Sequence, residues 1–161
     1  MQYQDNQFKW VVVVNRKAPL GRVLNAVGHL ALGMRMAPQE EASAQFHAYK
    51  GPDGQPMAQL SHWPVIVLQA KTSSQLLALR TAAIAAGVSC QSFVEAMIGP
   101  SAEHQLEATR TTPLDQQEFI AVMLFGKSED QLRPLTKKFS LFASPVESPL
   151  VESRGPVEAV G

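Results

Sequence analysis

Four apolar runs of strand length recur along this chain and constrain its fold more than any other feature; they occupy residues 8–14, 63–70, 89–96 and 119–125. The first, "FKWVVVV", is rich in β-branched and aromatic residues, which suits a strand that is covered on both faces. Helical patterns separate several of the runs, so strands and helices alternate. The sequence therefore predicts an α/β three-layer sandwich, with a mostly parallel, mixed sheet of four to five strands and helices on both faces.

The segments between these runs carry helix signals. From Leu20 the apolar residues follow the i, i+3, i+4, i+7 spacing of an amphipathic helix, and Pro38 marks its end. A second helix is predicted to begin near Ser74, with Thr72 or Ser73 as its cap, and to end at Gly87. Weaker patterns predict a helical piece over 40–49, a short helix over 128–135 with its first serine as cap, and an edge strand over 139–142.

Three segments are predicted to lack regular structure. "GPDGQP", residues 51–56, is dense in turn-forming residues. Residues 99–117 are polar and include Pro100 and Pro113, which indicates a long loop of the kind that is often functional. The proline-rich stretch "SPVESPLVESRGPVEAVG" predicts a disordered tail over 144–161, so the folded domain is expected to span 1–143.

Composition excludes several classes of protein. A chain of 161 residues that is 45% hydrophobic suits one domain with a real core. Fourteen basic residues balance fourteen acidic ones, which argues against a nucleic-acid partner because such proteins usually carry a basic excess. No run approaches the roughly 20 apolar residues that span a bilayer, so no membrane partner is expected and the location is predicted to be cytoplasmic. Cys90 is the only cysteine, and it is expected to be a buried, inert thiol.

The first predicted helix carries three polar residues that form the candidate site. Arg22, Asn25 and His29 are spaced i, i+3 and i+7, so they lie within about 60° of one another around the helix. They are either a solvated face or a ligand site at the end of the sheet, where open α/β folds bind ligands. In a site, His29 would transfer a proton, Arg22 would hold an anion, and Asn25 would orient the ring or a carbonyl group.

Other candidates are weaker. His47, His62 and His104 lack the spacing of metal ligands, so no metal site is predicted. Arg110, within "TRTTP", is a tentative anion contact, although a polar loop is the preferred interpretation. The turn "APLGR" has too few glycines for a phosphate or dinucleotide loop, and no cofactor is expected.

Larger patterns resemble a known family. "KWVVVV" followed by a basic turn and "GRVLNAVGHLALG" resembles the opening of type-2 peptidyl-tRNA hydrolases, and "WPVIVLQAKTSSQLLALRTAAIAAGV" resembles their next strand and helix. "FIAVMLFGKSEDQLRPLTKKFSLF" resembles their final strand, helix and short last strand. The similarity spans about residues 8–142 and is greater still to an uncharacterised bacterial family that shares this fold. The resemblance also implies a homodimer, which sedimentation at micromolar concentration would reveal.

The resemblance implies roles for individual positions. The histidine of the hydrolases falls on His29, and the second lysine of their lysine-glycine-lysine turn falls on Arg22, beside a retained Gly21. The aspartate of their aspartate-alanine-glycine motif falls on Glu95, and Ala96 is kept.

Four further positions depart from the hydrolase pattern. Leu20 replaces a lysine, Ala26 a glutamine, Met97 a glycine, and Gly99 a threonine. A charged group and a hydroxyl are therefore both missing.

Three functions remain open. The first is a small-ligand binding or regulatory module that kept the fold and lost the hydrolase site. The second is a hydrolase of a small ester or amide, with His29 and Glu95 as acid and base, and the third is a true peptidyl-tRNA hydrolase. The departures and the neutral charge favour the first. Arg22, Asn25, His29 and Glu95 are expected to converge on one cleft, with Glu95 pairing to Arg22 for ligand orientation.

Overall fold

The computed structural model describes residues 7–36 and 46–143. The elements follow in chain order as β1 (Phe8–Asn15), α1 (Leu20–Met36), β2 (Phe46–Lys50), β3 (Pro56–Ser61), β4 (Val65–Ala70), α2 (Ser73–Ala85), β5 (Ser89–Val94), α3 (Ala102–Thr111), β6 (Phe119–Lys127), α4 (Arg133–Thr136) and β7 (Ser140–Leu141). Short 3-10 turns lie at Glu95–Met97 and Leu114–Gln116, and a π-helical turn at Ser128–Leu132 leads into α4. The four predicted strands are thus present, together with the short strand near 139–142.

Five strands form one mixed sheet in the order β5-β6-β1-β4-β7. Among the strands of residues 7–36 and 46–143, β1 and β4 are the one parallel pair of this sheet, whereas β1–β6, β5–β6 and β4–β7 are antiparallel pairs. The expectation of a mostly parallel sheet is therefore wrong. Hydrophobic periodicity identifies a strand but carries no information on its direction, and the chain between β5 and β6 returns without a parallel crossover.

Helices cover both faces of the sheet, as predicted. Alternate residues of β1 point to opposite faces, so Val12 packs toward α1 while Val13 packs toward α2. The α1 side also contains Val23, Ala26, Leu30 and Met34 of the helix, and the α2 side contains Leu76, Leu79 and Ala83. Burial on both faces explains why β1 and β6 appear in the sequence as continuous apolar runs.

The segment that was predicted as a helix over 40–49 is partly a strand. Residues 46–49 belong to β2, which pairs antiparallel with β3 in a separate two-stranded sheet, while 40–45 lie outside the described residues. Gly54, in the predicted turn, has a φ of 79°, which a residue with a side chain rarely adopts. Cross-strand pairing overrides the weak local helix pattern of this segment.

The long loop that was predicted over 99–117 contains a helix. Ser101 caps α3, since its side-chain oxygen accepts a hydrogen bond from the His104 backbone N–H at 3.2 Å. None of the residues of α3 is fully buried, and Leu106 is its one large apolar residue, so the apolar pattern that indicates a core helix is weak here. This helix provides one wall of the site described below.

Two predicted helix starts have different outcomes. Thr72 caps α2 as predicted, accepting from the Gln75 backbone N–H at 3.3 Å, and Gly87 follows the helix with a φ of 67°. Ser128 is not a cap: it lies in the π-helical turn and makes no capping bond there. Instead the Gln131 side chain accepts from the Lys127 backbone N–H at 2.7 Å.

Further expectations concern termini and membranes. The predicted disordered tail over 144–161 lies outside the described residues.

Within 7–36 and 46–143, none of the helices combines the length and the apolar character that crossing a bilayer requires.

Candidate functional site

Asn15 links the end of β1 to the start of α1. Its side chain is buried, and its amide nitrogen donates to the Phe119 carbonyl oxygen at 3.1 Å and to Glu118 Oε1 at 3.3 Å. Its Oδ1 accepts from the Lys17 backbone N–H at 3.0 Å, which shapes the turn that precedes α1. These bonds tie the beginning of α1 to strand β6 and thereby position the polar face of the helix.

Arg22 and Glu95 form an ion pair at the edge of the site. The Arg22 Nη1 donates to Glu95 Oε1, joining α1 to the 3-10 turn that follows β5. The two side chains are 46% and 40% exposed, so the pair contributes little to stability, about 0–1 kcal/mol. The pairing matters more for chemistry, because each charged group already has a partner and a ligand would have to displace it.

An open cleft of about 830 Å³ lies between α1, β5, the connection after β5, and α3. Much of its wall is apolar, including Leu30, Phe93, Met97, Ile98, Ala102 and Leu106. Its polar members are Asn25, His29, Gln91, Ser92, Gln105, Thr109 and Arg110. By area this surface is mainly apolar, and a concave apolar surface that also presents polar side chains is the usual form of a small-molecule site.

His29 lines this cleft in a defined orientation. Its ring stacks on that of Phe93, with 5.9 Å between the ring centres and 25° between the planes. Asn25 lies one turn earlier on α1 and also lines the cleft. The helix therefore presents an imidazole and an amide toward the same volume, and both can donate and accept hydrogen bonds.

The five residues singled out in the sequence divide into two groups. Asn25, His29 and Arg110 line the cleft, whereas Arg22 and Glu95 pair with each other and are absent from its lining. Arg110 in turn forms a two-pronged ion pair with Glu107, through bonds of 2.8 Å and 3.1 Å. Both arginines near the cleft are thus matched by a carboxylate.

The cleft also contains residues that the sequence did not identify. Gln105 of α3 donates to the Gly99 carbonyl oxygen at 3.0 Å, and Gln91 of β5 donates to the Gly33 carbonyl oxygen at 3.2 Å. A Cβ at Gly33 would lie 2.6 Å from Oε1 of Gln91, so the end of the Gln91 side chain would have to shift. Leu106 of α3 is an exposed apolar residue of the same wall.

Cys90 lies on β5 but outside the cleft. It packs against the α2 side of the sheet, and burial raises the pKa of its thiol to about 11, an effect that Arg80 and Ser92 only partly oppose. A thiol in this state is a poor nucleophile, in agreement with the expectation of an inert cysteine.

The chain is similar to known proteins both in sequence and in fold. The model of the DUF2000 family, described as proteins of unknown function, matches residues 8–143, and no curated protein matches the sequence. A solved structure of a protein of unknown function from Agrobacterium tumefaciens strain C58 superposes with a TM-score of 0.72 at 16% identity, covering 86% of this chain and 100% of the other. At that identity the likeness concerns the fold alone. Since the family match covers most of the chain, the protein belongs to the DUF2000 family.

Proposed function

We propose that this protein is a binding or regulatory module, and that a small organic molecule occupies the cleft between α1, β5 and α3. The observation that carries the proposal is the cleft wall, whose surface is mainly apolar by area but includes seven polar side chains, the Asn25 amide and the His29 ring among them. Apolar surface supplies affinity, and a few fixed polar groups supply orientation.

The charges around the cleft favour an uncharged ligand. Arg22 is paired with Glu95, and Arg110 is paired with Glu107. An anionic ligand would have to compete with a carboxylate for either guanidinium, and it would also lose its own hydration in an apolar cleft. A neutral planar molecule avoids both costs and can form hydrogen bonds with Asn25 and His29.

A resemblance to type-2 peptidyl-tRNA hydrolases spans about residues 8–142. It supports a common ancestry in which the hydrolase site was lost, because Leu20 and Gly99 replace its lysine and threonine. A small-ester hydrolase that uses His29 and Glu95 is the alternative, and the position of His29 in the cleft favours it. Against that reading, Glu95 is bonded to Arg22 and does not line the cleft.

Three ligands that share a phenyl ring and differ in charge test the ligand class. Benzamide, benzoate and phenyl phosphate are titrated into the protein, and binding is followed by ligand-observed NMR. We expect benzamide to bind in about the millimolar range, as befits so small a ligand. Benzoate and phenyl phosphate should bind several-fold more weakly.

Matched leucine variants assign the binding to the cleft. Leu106→Ala removes an exposed leucine of the cleft wall, and Leu32→Ala removes an almost equally exposed leucine of α1 outside it; the two are 72% and 71% exposed. Only Leu106→Ala should weaken benzamide binding. Tighter binding of either anion, reduced by replacing Arg110 with glutamine, would overturn the uncharged-ligand proposal.

A further inference from the structure

Two histidines that are far apart in sequence meet beside the β2–β3 hairpin. Nε2 of His47 lies 2.7 Å from Nδ1 of His62, with 5.0 Å between the ring centres. His47 belongs to β2, and His62 follows the end of β3. Hairpin pairing, in which His47 lies opposite Leu60, brings the two rings together despite a separation of 15 residues.

One of the two rings is held by the protein core. His62 packs edge-on against the Trp63 ring at 4.6 Å, and Trp63 is buried. The Ser61 hydroxyl oxygen accepts from the Trp63 backbone N–H at 3.1 Å and from the Trp10 indole N–H at 3.0 Å. His62 is thus anchored to the main sheet, whereas His47 lies on the two-stranded sheet.

We propose that His47 and His62 together bind one first-row transition-metal ion, through Nε2 and Nδ1 respectively, and that Cu²⁺ binds more tightly than Zn²⁺. Imidazole nitrogen suits both ions, and divalent affinity generally increases to a maximum at copper. Metal–nitrogen bonds of about 2.0–2.1 Å at a tetrahedral angle require the nitrogens to be about 3.3 Å apart. The two nitrogens are 2.7 Å apart, so the pair must open by about 0.6 Å, and the rings must turn until both lone pairs point at the ion.

The proton between the rings does not prevent binding. In two neutral imidazoles, one of the facing nitrogens carries a proton and donates a hydrogen bond to the other. When the ion binds, the donor ring carries that proton on its opposite nitrogen, so both facing nitrogens offer a lone pair and no net proton is released.

Water is expected to complete the coordination. Within 7–36 and 46–143, no group of three histidine, cysteine, aspartate or glutamate side chains is arranged to hold a metal. A site with two protein ligands binds less tightly than a structural zinc site with four. The inference is independent of the cleft, since neither histidine lines it.

Titration of the full chain, purified without an affinity tag, tests the site. Cu²⁺ and Zn²⁺ are added separately, with the heat of binding measured for both ions and the imidazole NMR signals followed for Zn²⁺. We expect one equivalent of each ion, tighter for Cu²⁺, with shifts at His47 and His62. His47→Ala and His62→Ala should each lose about tenfold or more in affinity, whereas His104→Ala, on exposed α3, should bind as the wild type does.

Circular dichroism and a second substitution distinguish loss of the metal site from loss of folding. His47→Gln keeps a polar side chain on the hairpin strand, and it should fold normally and still lose metal affinity. Equal affinity in the wild type and a folded His47→Gln variant would overturn the proposal. So would shifts confined to His29 or His104, or no saturable binding of Cu²⁺ at 1:1 stoichiometry.

Discussion

Replacing Asn15 by alanine is expected to lower the free energy of unfolding by about 2–4 kcal/mol. The substitution removes two donated hydrogen bonds and one accepted bond from a side chain that is only 2% exposed. It leaves the Phe119 carbonyl and the Lys17 N–H without these partners at the junction of β1, β6 and α1. Urea unfolding, read as a lower midpoint at an unchanged slope, measures the loss.

Asn25→Ala is the matched control for this prediction. Asn25 is exposed on α1, so the same chemical change there should alter the free energy of unfolding by no more than about 0.5 kcal/mol. If the two variants unfold at the same urea concentration, the bonds of Asn15 do not anchor the helix.

The Cys90 thiol is expected to react with a disulfide reagent at pH 8 about 100-fold more slowly in the folded protein than in the unfolded chain. Burial raises its pKa from 9.0 to about 11, and only the thiolate attacks the reagent. Stopped-flow absorbance, with and without urea, measures the ratio. A folded-state rate close to the unfolded one would show that the thiol is accessible and ionised.

The same shift predicts how stability depends on pH. Between pH 9 and pH 11 the unfolded thiol loses its proton while the folded thiol retains it, so stability falls as the pH rises through this window. The contribution of this group is at most about 2–3 kcal/mol. A Cys90→Ala variant should lack that part of the alkaline loss, and equal pH profiles for the two proteins would contradict the assignment.

The sequence predicts the buried parts of this fold well and the exposed parts poorly. β1 and β6 are covered on both faces, so their apolar runs identify them directly. α3 has no fully buried residue and a low content of large apolar side chains, and β2 and β3 are largely exposed, so the apolar signal of all three is weak. Strand direction depends on how the chain returns between strands, which hydrophobicity does not encode.

The candidate site shows the same division. Helical spacing predicts that Asn25 and His29 share a face, and both line the cleft. The opposite wall comes from α3, and of its residues the sequence identified only Arg110, because the segment was predicted to be a loop and a loop gives no shared face. His47 and His62 approach each other only through hairpin pairing, and spacing along the chain therefore indicates nothing.

The central claim is that the α1 face serves a binding site and not a hydrolase centre. The most direct measurement is release of free tRNA from peptidyl-tRNA by the wild type and by a His29→Ala variant, with an active type-2 peptidyl-tRNA hydrolase as the positive control. We expect no release above the protein-free rate with either form of this protein. Robust cleavage by the wild type that disappears in His29→Ala would contradict the claim and identify His29 as a catalytic residue.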